Sequence, residues 1–180
     1  MNSIIFNRKW GMPTPDTFDC KPIGEFVERW MRNKLVSVDP FSRNKTFATH
    51  TNDINPETKS QYHMDAFDFL KMLEEKSIVA DIVIFDPPFS PRQIKECYDG
   101  IGKKMGQMEA FRTHWKPERD IINRILKTNG IILSFGWNSI GMGKKRGYEI
   151  KEILMVCHGP GHNDTICMAE EKFENNIFDV

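Results

Sequence analysis

The sequence predicts an α/β fold, with a mostly parallel sheet, helices on both faces and an antiparallel pair of strands at the edge. Three observations carry that expectation. Ile82 to Phe85 is an unbroken apolar run rich in β-branched residues, which suits a strand covered on both faces. It ends at Asp86-Pro87-Pro88-Phe89, where two prolines cannot continue a ladder. Near the C-terminus, Glu149–Cys157 and Asp164–Glu170 flank a Gly-Pro-Gly turn and read as two antiparallel strands.

In chain order, the first periodic segment follows Lys21-Pro22. Ile23, Phe26, Val27, Trp30 and Met31 share one helical face, and Pro22 suits a first turn because its missing N–H would have no partner there. Leu35–Val38 reads as a short buried strand ending at Asp39-Pro40-Phe41, and Phe47–Thr51 as a second, ending at Asn52-Asp53. An acidic residue after the second strand is where Rossmann-like proteins accept hydrogen bonds from ribose hydroxyls, so Asp53 is a candidate; Asn55-Pro56 just beyond also suits a simple turn.

Gln61–Met64 is a candidate third strand, and Asp65 caps the helix that follows, with Phe67, Leu70, Met72 and Leu73 as its apolar side. Ser90-Pro91-Arg92-Gln93 starts another helix carrying Ile94, Cys97, Tyr98 and Ile101. Between Gly100 and Trp115 the periodicity dissolves, which suggests a mobile segment beside the site. Pro117–Leu126 resumes helical spacing, with Asn129-Gly130 as its stop, and Ile131–Phe135 is a further buried strand followed by Gly136-Trp137-Asn138-Ser139.

Composition narrows the functional classes. At 180 residues the chain suits one domain, residues 1–180. No stretch is apolar enough to span a membrane, and Met1–Trp10 lacks the long apolar core of a signal peptide, so a cytoplasmic protein is expected. Cys20, Cys97, Cys157 and Cys167 are scattered and read as reduced, mostly buried thiols, and His158 and His162 border a hairpin tip rather than a metal site. With 25 basic and 25 acidic residues, the formal charge is zero, which argues against broad affinity for a polyanion. Lys103-Lys104 and Lys144-Lys145-Arg146 are the local basic candidates, or else solvated faces.

Asp86, Pro87, Pro88 and Phe89 have a specific chemical use. The Asp86 carboxylate and the Pro87 carbonyl can each accept one N–H of a planar amine, while Phe89 stacks on the ring that carries it. A plain exit from strand to turn also fits these four residues. The tetrad closely resembles the Asp/Asn/Ser-Pro-Pro-Tyr/Phe/Trp signature of S-adenosylmethionine-dependent amino-methyltransferases, which methylate adenine N6 or cytosine N4 in nucleic acid.

The resemblance runs from about residue 17 to 170 and implies a Rossmann-like class I methyltransferase fold, with a seven-stranded sheet and an antiparallel edge hairpin. It implies S-adenosyl-L-methionine as cofactor, with Lys21 and Pro22 at its methionine end, Asp39, Pro40 and Phe41 in the first loop, and Asp65 reading the adenine. Asp86, Pro87, Pro88 and Phe89 would form the catalytic tetrad. DNA, or alternatively RNA, is the implied substrate. No insertion is large enough for a separate target-recognition domain, so recognition of DNA would come from Gly100–Trp115, from the Lys144–Arg146 loop, or from another subunit or a homodimer. One departure stands out: Arg43 and Lys45 occupy the positions of the family's two loop glycines, although Thr46 is kept. A silent nucleotide- or nucleic-acid-binding subunit of a methyltransferase complex is the alternative this departure suggests.

Overall fold

A computed structural model describes residues 3–102 and 115–173. Its strands are β1 (Ile5–Trp10), β2 (Ser37–Asp39), β3 (His50–Thr51), β4 (Ala80–Phe85), β5 (Leu126–Gly136), β6 (Tyr148–Cys157) and β7 (Thr165–Lys172). The helices are α1 (Lys21–Met31), α2 (Ala66–Glu75), α3 (Pro91–Gly100) and α4 (Lys116–Ile125). The strands form one sheet in the order β1-β6-β7-β5-β4-β2-β3, in which β7 alone runs antiparallel to its neighbours. The chain crosses outward from β2 to β3 and then returns to β4, so the order reverses between β2 and β4. Loops at the C-terminal ends of those strands diverge there and leave a crevice.

The run Ile82–Phe85 is buried on both faces, as expected. Ile82 and Ile84 pack with Ile23, Phe26 and Val27 of α1, and Val83 and Phe85 pack with α2 and α4 through Phe69, Leu70, Ile122 and Ile125. A buried carboxylate ties α1 to the far side of the sheet. Glu152 accepts two hydrogen bonds from Arg29 at 2.8 and 2.9 Å, one from Trp30 Nε1 and one from Asn7 Nδ2, joining α1, β1 and β6.

Several expectations are corrected. The antiparallel hairpin lies one strand in from the edge, because the N-terminal residues form β1 outside β6. Leu35 is 82% exposed: the N–H groups of Leu35 and Val36 both turn to Asp81 Oδ2 at 2.8 Å, and the strand begins only at Ser37. The second strand shortens to β3, and the third is reduced to a bridge between Asn52 and Tyr62. Asn129 does not stop a helix. Helix α4 runs straight into β5 at Leu126, and Asn129, at φ 59°, belongs to an irregularity that shifts the register against β4. Three cysteines are buried and Cys97 is exposed. No helix among the described residues is long and apolar enough to cross a membrane.

Asp81 is the N-terminal counterpart of this design. It receives the two N–H groups above and pairs with Lys127, and together these lower its pKa to about 2. A carboxylate depressed on folding contributes stability above its unfolded value, near 3.8, and that contribution is lost as pH falls through about 2. Asp81→Ala is therefore expected to cost about 1–3 kcal/mol at neutral pH. Urea denaturation should show the gap between the two proteins closing as pH is lowered from about 4 towards 2.

Candidate functional site

A cavity of about 530 Å³ opens at the crevice between the ends of β2 and β4, a size typical of small-molecule sites. Pro40 and Phe41 enter it from the first loop, Asp53 from the loop after β3, Asp65 from the start of α2, and Asp86 to Phe89 from the end of β4. The tetrad is held in direction by the helix that follows. Ser90 caps α3 by accepting a hydrogen bond from Gln93 N at 3.2 Å, and the Gln93 side chain reaches back to Phe89 N at 2.7 Å. This is a capping box displaced by one residue.

The carboxylates are in an unusual state. Asp86 Oδ1 is buried and has no hydrogen-bond partner among the described residues. Burial raises the Asp86 pKa to about 7; a hydrogen bond from Thr17 and the nearby Arg43 charge pull it partly back, while Asp16 pushes it further up. Asp39, at the end of the adjacent strand, is raised well above the usual range, mainly by burial and then by the neighbouring Asp86 and Asp53. Asp53 is also raised, chiefly by burial, although Asn55 N and Arg43 N both donate to it, at 2.8 and 3.2 Å. Asp65 accepts from Phe67 N at 2.9 Å as the cap of α2, and from the Tyr98 hydroxyl at 3.2 Å. Asp65 is thus the helix cap, and it also lines the cavity.

The crevice gathers most of the expected residues, with three exceptions. Lys21 and Pro22 are not in the cavity wall. Lys21 extends into solvent beside Glu25, and Pro22 lies against Gly11, while Pro15 and Thr17 from the preceding turn take that place. Asp39 lies behind the wall, fully buried, with Oδ1 accepting from Phe41 N at 3.0 Å and thereby shaping the Pro40-Phe41 turn.

Arg43 and Lys45 have a defined place. Arg43 has φ 51°, the left-handed conformation that a glycine would adopt freely. Its guanidinium pairs with Asp16 at 2.6 Å and donates to Pro15 O, and Lys45 pairs with Asp19. The first loop is thus fastened to the turn before α1, and both sides of that fastening line the cavity through Pro15, Thr17 and Arg43.

Other contributors carried no clear sequence signal. Asn52 is fully buried and binds Pro40 O, Met64 O and Met64 N at 3.0–3.1 Å, which joins three loops of the crevice. Trp115 closes one side, packing edge-on against Phe41 and donating to Pro88 O at 3.4 Å. Trp137 meets Phe89 edge-on, with centroids 5.7 Å apart. The expected mobile segment from Gly100 to Trp115 falls largely on residues 103–114, outside the described residues, as does Lys103-Lys104. Of the second basic candidate, Arg146 is engaged with Asp120 at 2.8 Å. His158 is buried between Gly11 O and the Thr165 hydroxyl, at 2.6 and 2.9 Å.

The fold as a whole superposes on known structures. The fold is that of the methyltransferases. SMU.776, assigned as a methyltransferase and complexed with SAH, superposes with a TM-score of 0.54 at 15% identity, over 82% of this chain and 48% of its own. A SAM-dependent methyltransferase from Agrobacterium tumefaciens gives 0.51 at 12% identity, over 82% and 60%. The yhhF protein from Escherichia coli, also assigned as a methyltransferase, gives 0.54 at 10% identity over 91% and 92% of the two chains. The chain therefore spans about half the length of SMU.776 and nearly all of yhhF. No family model matches the sequence, and no curated protein matches it.

The placement of Phe89 generates a stability prediction. Phe69 is fully buried, whereas Phe89 is half-buried at the rim. Phe69→Ala is expected to cost about 3–5 kcal/mol and Phe89→Ala about 1–2 kcal/mol, as read by equilibrium denaturation. Equal losses would place Phe89 in the core.

Proposed function

We propose that this chain is an S-adenosylmethionine-dependent methyltransferase acting on an exocyclic amine of a nucleobase in DNA, with adenine N6 as the first candidate and RNA as the other nucleic acid to test. The observation that carries this reading is Asp86: a buried carboxylate oxygen with no partner among the described residues, at the end of the central strand, beside a half-exposed aromatic ring. The cavity residues suit the cofactor. Asp53 offers lone pairs to ribose hydroxyls, Asp65 offers an acceptor to an adenine amine, and the Phe41, Met64 and Ile94 side chains give the cavity apolar wall. Asp39 and Asp86, both raised towards the uncharged form by desolvation, would be drawn back to the carboxylate by a cation bound between them. When bound, the cofactor would supply an electrophilic methyl group on its sulfonium sulfur.

The chain's own part is to prepare the amine. The lone pair of an exocyclic amine conjugates with its ring, and accepting both N–H groups at Asp86 and the Pro87 carbonyl favours pyramidalisation and frees that lone pair. Phe89 holds the ring by stacking, which is worth about 1–3 kcal/mol per base and offsets part of the cost of extracting a base from a duplex. The alternative, a silent binding subunit, rests on Arg43 and Lys45. Against it, Arg43 keeps the backbone conformation of a glycine and leaves the cavity open.

Incubation with labelled cofactor and unmethylated DNA or RNA, followed by digestion to nucleosides and mass spectrometry, tests the reading. A methylated amino base is the expected result. No cofactor binding, with or without nucleic acid, would favour the silent subunit, and cofactor binding without transfer to either nucleic acid would overturn the nucleobase as substrate. Turnover should rise with pH through about 7, since the acceptor form of Asp86 is its carboxylate.

Asp86 also links activity to stability. Its folded pKa is raised from 3.8 to about 7, so folding retains a proton in that window and stability falls as pH rises through it. Asp86→Ala should therefore abolish transfer, whereas Asp86→Asn, which keeps an acceptor oxygen, should melt at a higher temperature than the parent at pH 8. Differential scanning calorimetry should show that advantage shrinking as pH falls from about 7 to about 4.

A further inference from the structure

The outer edge of the sheet, strand β1, takes no part in the site described above. On its inner side β1 is firmly set: it pairs with β6 from Ile5 opposite Glu152 to Trp10 opposite Cys157. Asn7 joins the buried Glu152 network, and Gly11 is held by Cys157 O and His158. No strand among the described residues pairs with its other side. Among the described residues, five of the nine large exposed apolar side chains lie on or beside it, namely Ile4, Ile5, Phe6, Trp10 and Met12, each between 52% and 63% exposed. A rigid, apolar, unpaired edge is a template for another strand, and natural sheets normally blunt or cover such edges.

We propose that this edge pairs with the same edge of a second copy of the chain, antiparallel about a two-fold axis perpendicular to the sheet, centred on Asn7. Residue chemistry selects both partner and register. Asn7 and Lys9 point to the α1 face, towards Glu152 and Glu25, so Ile4, Phe6, Arg8 and Trp10 occupy the opposite face. A perpendicular two-fold keeps each face on its own side, so only residues of the same face can stand opposite each other. Centring on Asn7 sets Ile4 against Trp10, Phe6 against Arg8, and Ile5 against Lys9. Every pair is then apolar with apolar, or a cation over an aromatic or aliphatic side chain, and each chain's Asn7 meets its counterpart as amide with amide. Centring on Arg8 would put two guanidinium groups face to face, which is repulsive. Centring on Phe6 would set Lys9 against Ser3 and carry Trp10 past the end of the pairing. The half-buried Ile153 and Met155, beside Phe6 and Arg8 on the same face, widen the apolar strip that the pair would share.

Sedimentation velocity of the full chain between about 1 and about 100 μM tests the proposal. The expected result is a mass rising to twice that of the chain. Phe6→Lys, which sets a lysine against Arg8, should hold the protein as a monomer, whereas Phe6→Glu should dimerise at least as well as the parent. In a Cys97→Ser background, Asn7→Cys should give a disulfide-linked dimer under mild oxidation and Ile5→Cys should not. A parent that stays monomeric throughout, a Phe6→Lys protein that dimerises like the parent, or cross-linking at Ile5→Cys in place of Asn7→Cys would each overturn the proposal.

Discussion

The structure depends on two carboxylates that end neighbouring strands, Asp39 fully buried and Asp86 half-buried with one oxygen shielded from water. Asp39 closes β2 and Asp86 follows β4, on either side of the point where the strand order reverses. The geometry of a parallel sheet brings such ends together, and burial beneath the surrounding loops raises both groups above the normal carboxylate range. A fold optimised for stability alone would place amides or apolar groups there. The site thus holds a charge-poor state at rest and favours a ligand that brings positive charge or N–H donors.

The two acids do different work, and hydrogen bonding separates them. Asp39 uses one oxygen to fix the turn at Phe41 and lies behind the cavity wall, so its ionisation acts on the site through the cavity's electrostatics. Asp86 borders the cavity directly and keeps an oxygen without a partner among the described residues. Asp53 and Asp65 lie further along the same crevice with their backbone acceptor roles already filled, which holds their carboxylates in fixed orientations. A polar site is pre-organised in this way when local turns and caps, rather than the ligand, set the side-chain directions.

The sequence made much of this legible for one physical reason. Buried parallel strands have a uniform apolar signature, and their C-terminal ends have an abrupt polar one, so Ile82–Phe85 with Asp86 and Ile131–Phe135 with Gly136 could be placed without coordinates. Short strands carry too few residues for any period, which is why β3 shrank to His50–Thr51 and Leu35 proved exposed. β1 was missed because an edge strand with both faces open has no burial pattern to read. Asn52 was passed over for a related reason: its three hydrogen bonds span loops, and nothing in its immediate neighbours announces them. Lys21 and Pro22 show the opposite failure, where a local motif was legible but the helix turned it away from the cavity.

Arg43 shows how a left-handed position in a loop can be held without a glycine. A left-handed backbone at a residue with a side chain costs about 1 kcal/mol or more relative to glycine. Here the surrounding contacts over-determine it: the Arg43 N–H is held by Asp53, and the guanidinium by Asp16 and Pro15. Glycine would relieve the strain and remove every side-chain tie between the first loop and the turn before α1 except that of Lys45 to Asp19. Exposed ion pairs contribute little stability individually, commonly under about 1 kcal/mol. Two that bridge the same pair of segments nonetheless restrict how those segments move relative to each other. The first loop is thereby a fixed wall, and that wall carries Thr17 to the Asp86 carboxylate.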